Sequence, residues 1–157
     1  MPVVFAYGSN LDPVQMIARC PSARLLGEAR LPGARLAFVG YSRGRGGAVA
    51  TVSRAHGHFV PGLIWHVSHA DLHTLDEYEG APTTYYRRRW SVMRADGSTV
   101  KAHVYRHRSP VLGLPHPDYF SIIARVYVAR RFPTAPLESA LRLSGVKLKP
   151  RASALAA

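Results

Sequence analysis

Strand-like runs outnumber helical ones along this chain, and the two kinds do not alternate. That irregular order constrains the fold more than any other feature, because a doubly wound parallel sheet needs regular strand–helix alternation. β-Branched and aromatic residues mark a short buried strand at Val3–Tyr7. Leu25–Val39 reads as two strands separated by Pro32-Gly33, and Ala48–Ser53 and Phe59–Val67 read as two more. Tyr86–Arg94 and Thr99–Arg106 flank Asp96-Gly97, a hairpin signal. Asp12-Pro13 supplies an N-cap and a first helical position for a helix to about Arg19. Ser68 opens a second helix, with Asp71 as a variant of the capping box, and Gly80 ends it. Further helices are expected from Asp118 to about Arg130 and from Pro136 to Leu143. The predicted fold is α+β, a small mixed or antiparallel barrel-like sheet with flanking helices. One domain would cover residues 1–145, followed by a flexible tail at 146–157.

Charge narrows the partners. Twenty-one Lys+Arg against nine Asp+Glu give a net +12, and lysine occurs only at 101, 147 and 149. Such a field attracts polyanions or acidic small molecules. The run Arg87-Arg88-Arg89, with Tyr86, Trp90 and Tyr105 available for base stacking, makes nucleic acid a competitor on charge. Strand alternation, however, puts Arg87 and Arg89 on one face and Tyr86, Arg88 and Trp90 on the other. No standard nucleic-acid module is present, so a solvated basic face is the better reading. Ser42–Gly47 reads as a flexible basic loop carrying Arg43 and Arg45. No apolar run approaches the ~18–20 residues that cross a bilayer. The opening Met1–Gly8 lacks the basic start of a secretory signal. The single cysteine, Cys20, fits a reducing compartment, so a cytoplasmic location is expected.

Three places can carry chemistry. On the helix after Ser68, the spacing places Leu72, Leu75 and Tyr78 on an apolar stripe that Glu79 shares, while Asp71 and Glu77 point elsewhere. Burial disfavours an ionised carboxylate and readies it for proton transfer near neutral pH. An ion pair with one of the many arginines, or a side chain bent back to water, would explain the same placement. At Tyr7-Gly8-Ser9-Asn10-Leu11 a strand turns into a helix, leaving backbone N–H groups available to an anion. The bland alternative is a turn that uses small polar residues for geometry. Tyr119 starts the inward stripe of the Asp118 helix, its hydroxyl either bonded to backbone or turned to a ligand. Tyr85 and Tyr86 stand at a strand mouth with the same ambiguity. His66, His69 and His73 are close, but Ala70 breaks the metalloprotease pattern. His56 and His58 flank Gly57 without carboxylates, so no metal site is expected. Cys20 lies before a proline with no partner histidine.

Phe5-Ala6-Tyr7-Gly8-Ser9-Asn10-Leu11, Gly46–Thr51, Gly62–Trp65, Leu75–Gly80 and Pro115–Tyr119, in this order, resemble the gamma-glutamylcyclotransferase-like family over residues 3–143. The resemblance implies cyclisation of a γ-glutamyl group to 5-oxoproline with release of the attached amine. It implies a small mixed barrel with helices and no metal or cofactor. It places the catalytic acid on Glu79, a substrate-holding loop on Tyr7, Gly8, Ser9, Asn10 and Leu11, and a further substrate contact on Tyr119. An aromatic contact falls on the pair Tyr85-Tyr86, in either register, and is assigned here to Tyr86. The partner would be a small γ-glutamyl compound. A non-catalytic binding module for an acidic metabolite or nucleic acid on the same fold is the alternative.

Overall fold

The computed structural model describes residues 1–149. The β-branched start of the chain forms β1 (Val3–Ala6), with Val4, Phe5 and Ala6 buried. It lies antiparallel to β3 (Gly47–His66) and parallel to β5 (Thr99–His107). With β2 (Arg24–Ser42) and β4 (Tyr85–Arg94) these strands close a barrel in the order β1-β3-β2-β4-β5. Among the described residues four α-helices flank it: α1 (Pro13–Arg19), α2 (His69–Glu79), α3 (Pro117–Arg130) and α4 (Ala135–Leu143). The architecture is the expected α+β barrel.

The expected breaks in the first two long strands are not there. Pro32-Gly33 does not separate two strands; β2 runs through it with a register shift between Pro32 and Ala34. A bulge tolerates a residue without an N–H, and Gly33 supplies the left-handed φ of 66°. Likewise the polar stretch 54–58, expected to separate two strands, lies inside β3. The basic segment at 42–47 is a tight hairpin turn rather than a flexible loop. Ser42 pairs with Gly47, and Gly46 N–H donates to the Ser42 carbonyl at 2.8 Å.

The helix boundaries follow local chemistry. The Asp12 carboxylate accepts from Val14 N–H at the start of α1. The Ser68 hydroxyl accepts from Asp71 N–H at the start of α2. Gly80, left-handed at φ 65°, closes α2 by donating to the Asp76 and Glu77 carbonyls. Trp65, Phe5, Phe38 and Ile123 are fully buried in the core, with Tyr127 beside them. No described helix is long and apolar enough to cross a membrane. Of the expected tail, residues 146–149 carry no regular structure and 150–157 lie outside the described residues.

Candidate active site

At the end of β1 the chain leaves the barrel at Tyr7-Gly8 and tightens into one 3₁₀ turn, Ser9–Leu11, before α1. The internal bonds of this turn run from Leu11 N–H to Gly8 O and from Asp12 N–H to Ser9 O. The amides of Gly8, Ser9 and Asn10 precede them and donate to none of the turn's carbonyls. Gly8 stands where a Cβ would lie 3.3 Å from the Ala50 Cβ and 3.7 Å from the Tyr119 hydroxyl. Close approach of three elements, not backbone strain, asks for glycine here.

A narrow cavity of about 40 Å³ lies against this turn. The ends of β1 and α2 reach it through Gly8–Asn10 and Glu79, and β3 and α3 through Ala50 and Tyr119. Larger clefts of about 430 and 570 Å³ lie elsewhere on the surface. This small one is distinguished by the buried carboxylate and the hydroxyls around it.

Glu79 is the last residue of α2, its side chain only 15% exposed. Burial raises its pKa above the usual glutamate value, against the opposing influence of Arg19, a hydrogen bond from Asn10, and Arg45. Asn10 Nδ2 donates to Glu79 Oε1 at 3.0 Å, and Arg19 lies 3.7 Å from the same oxygen. Both members of that ion pair are pushed toward their neutral forms, since burial lowers the Arg19 pKa as well. Desolvation therefore outweighs the attraction of the pair. An arginine partner, one of the alternatives for Glu79, is present, and it sits at the turn of residues 7–11 rather than away from it.

The mouth of the cavity carries a polar chain that fixes Asn10. Its Oδ1 accepts from Gln15 Nε2 at 3.0 Å and from an Arg19 terminal nitrogen at 3.2 Å. With both donors on the oxygen, the amide nitrogen must face Glu79. Gln15 also donates to the Ser9 hydroxyl at 2.8 Å, and its own oxygen accepts from Arg45 at 2.6 Å. Arg45, at the tip of the β2–β3 hairpin, lies 5.4 Å from the centre of the Tyr119 ring.

Three tyrosines close the floor. The Tyr7 hydroxyl donates to the Tyr105 carbonyl, and the Tyr85 hydroxyl to the Ala50 carbonyl at 2.8 Å. The Tyr119 hydroxyl accepts from Ala50 N–H at 2.9 Å. Its own proton has no acceptor among the described residues, so it alone of the three can still donate. Burial raises all three, Tyr119 to about 12, so each stays a protonated phenol at neutral pH.

The structure thus brings together Tyr7, Gly8, Ser9, Asn10, Glu79 and Tyr119, but not every residue singled out from sequence. Leu11 is fully buried in the core and does not line the cavity. Tyr86 is on the opposite face of β4, and Tyr85 holds the cavity position instead. The register Tyr85↔His107 decides this, and no local signal in the sequence fixes it. Tyr78, expected on the buried stripe, is 58% exposed, with the Arg19 guanidinium 4.8 Å from its ring centre. Gln15 and Arg19 were not assigned to a site from sequence, because only the closed barrel gathers them, whereas Tyr85 was the other register of the aromatic contact. Cys20 is buried, and burial followed by the Asp71 charge pushes its thiol up to about 11. No described group of three or more His, Cys, Asp or Glu is placed to hold a metal.

Comparison with known proteins bears on the family and the fold. A family model described as "Gamma-glutamyl cyclotransferase, AIG2-like" matches residues 4–121. A "Gamma-glutamylcyclotransferase" of Homo sapiens is 33% identical over 125 residues, 76% of this chain and 66% of the relative. One of Mus musculus is 30% identical over 124 residues, with the same coverage. The chain thus spans about two thirds, 66%, of the length of these relatives. A solved structure titled "Gamma-glutamyl cyclotransferase" superposes with a TM-score of 0.81 at 27% identity, over 97% of this chain and 91% of that one.

Proposed function

The chain belongs to the gamma-glutamyl cyclotransferase, AIG2-like family, and from that premise we propose that it is itself a gamma-glutamyl cyclotransferase. It would convert the γ-glutamyl group of a γ-glutamyl amino acid, peptide or amine to 5-oxoproline and release the free amine. The observation that carries this reading is a buried carboxylate, Glu79, sharing one narrow cavity with the amides of Gly8–Asn10 and the Tyr119 hydroxyl. Residues 1–145 would act as one domain. The reaction is assigned to the cytoplasm, since a lone buried thiol suits a reducing compartment.

In this mechanism the substrate attacks itself. The α-amino nitrogen forms a bond to the γ-carbonyl carbon, and the bond from that carbon to the leaving nitrogen breaks. At neutral pH the α-amine is mostly an ammonium and cannot attack. Ionised Glu79 takes its proton, and the same carboxyl then delivers a proton to the departing nitrogen. Over the whole reaction the two protons shed by the ammonium leave on the released amine. Asn10 and Arg19 keep enough of Glu79 ionised to begin, while burial keeps it basic enough to accept.

The rest is positioning. The Gly8–Asn10 amides hold the substrate α-carboxylate, and the free Tyr119 O–H donates to the bound glutamyl group. Folding a floppy chain into a five-membered ring is where an enclosed site gains most, with effective molarities on the order of 10⁵–10⁸ M. The test is a 5-oxoproline assay over a panel of γ-glutamyl amino acids, peptides and amines, with Glu79→Gln alongside. The reading expects turnover by the wild type and binding without turnover by the variant. A variant as fast as wild type, or no 5-oxoproline from any member of the panel, would end it.

A further inference from the structure

Behind the Glu79 cavity, across the same strands, lies a cleft of about 570 Å³. β3 and β4 present Ala50 and Tyr85 to the cavity, and their neighbours Thr51 and Tyr86 to the cleft. Arg35 of β2, Arg88 of β4, Arg106 of β5 and the adjoining Arg108 all line it. Arg88, Arg106 and Arg108 lie 5.6, 5.8 and 4.7 Å from the centre of one ring, that of Tyr86. Their mutual separations are therefore on the order of the ~10 Å Debye length at 0.1 M salt, and the three charges repel.

Nothing described in the protein neutralises them. The arginine–carboxylate pairs are Arg19–Glu79, Arg87–Asp76 and Arg130–Glu28, none of them here. No acidic side chain among the described residues lines the cleft. The aromatic ring attracts cations but carries no net charge. Two of the guanidinium groups are nonetheless held in place: Arg106 Nε donates to the Val52 carbonyl at 3.0 Å, and Arg108 Nε to the Pro82 carbonyl. Their terminal nitrogens make no bond among the described residues and keep the planar fork that matches two oxygens of a phosphate.

We propose that this cleft binds a phosphate-bearing small molecule of the nucleoside di- or triphosphate class. Three unneutralised guanidinium charges gathered around one ring call for more than one phosphate. The cleft's volume lies within the ~300–1,000 Å³ range of small-molecule sites, which suits a compact ligand. Leu112 and Leu143, also in the lining, offer apolar surface for the organic part. The site is separate from the Glu79 chemistry and stands or falls independently of it.

Calorimetric titration of the full chain at near-physiological salt tests this, with ADP, inorganic tripolyphosphate and a thymidine oligonucleotide as probes. ADP and tripolyphosphate should bind one per chain. The Arg88→Gln/Arg108→Gln double variant should lose at least about tenfold in affinity, and the Arg→Lys pair, which keeps charge but not the fork, several-fold. Both positions are exposed, so the fold should survive, and the melting temperature checks this. Arg24→Gln/Arg125→Gln removes the same charge outside the cleft and should leave affinity unchanged. Equal losses in the two Gln pairs, or no saturable ADP binding, would overturn the proposal. Binding of the oligonucleotide alone, with stoichiometry rising with its length, would overturn it in favour of a nucleic-acid surface.

Discussion

Asp76 and Glu79 lie three residues apart on α2 and live in opposite worlds. Asp76 takes both nitrogens of an Arg87 fork and the Tyr105 hydroxyl at 2.6 Å. Partial burial alone would raise its pKa, but those hydrogen bonds and the Arg87 charge hold it below the usual aspartate value. Glu79 has one amide bond and an arginine at 3.7 Å, and burial still raises it. Two carboxylates whose surroundings push their pKa values apart are suited to different work. Asp76 is a fixed anion that ties α2 to β4 and β5. In the proposed reaction Glu79 carries the proton, and the tie at Asp76, one turn earlier on α2, fixes the helix end that bears it.

The sharpest break of this contrast is Glu79→Gln, which should lower kcat by about 10²–10⁴-fold in the 5-oxoproline assay. Asp76→Asn should instead cost stability, about 1–3 kcal/mol by urea denaturation, because Arg87 and Tyr105 lose a charged acceptor. The two should also respond oppositely to pH. Glu79 titrates above the ordinary glutamate value in the folded chain, so when ionised it costs stability. That cost disappears as pH falls through its raised pKa. Glu79→Gln should therefore melt higher than wild type at neutral pH, and the gap should close on acidification. Asp76 contributes stability above the ordinary aspartate value and loses it as pH falls through its depressed one, so the deficit of Asp76→Asn should shrink only in acid.

Finer changes act on Glu79 through its neighbours. The acid limb of kcat/KM should fall at a pH above the ordinary glutamate pKa. Arg19→Gln removes the stronger influence holding the carboxylate ionised and should move that limb further up. Asn10→Ala should move it in the same direction by less. A pH–rate profile of each variant checks the order, and an unmoved limb in both would mean that another group sets it.

Local chemistry made the helices readable. The caps at Asp12, Ser68 and Gly80 are single-residue signals, and the structure uses each of them. The long strands were not readable, because Pro32-Gly33 and the polar stretch 54–58 look like ends. Only pairing with a neighbouring strand carries the chain through them. In the site, helical periodicity pointed to Glu79, yet the same stripe included Tyr78, which is exposed and meets the Arg19 guanidinium instead of the core. Asn10 was legible as part of a ligand-holding loop, whereas its side chain serves Glu79. That role depends on Gln15 and Arg19 from α1 and is set in three dimensions. The choice between Tyr85 and Tyr86 rests on strand register, which alternation alone leaves open by one step.

That one step has a consequence for how the chain tolerates change. Along β4, odd and even positions furnish two different chambers, Tyr85 one and Tyr86 the other, with a partition a single peptide thick. Losing or gaining one amino acid there would turn the wall inside out, bringing Tyr86 and Arg88 to the side that faces Glu79. Paired insertions or deletions would keep each furnishing in its own room, so length variation in this strand should come in twos.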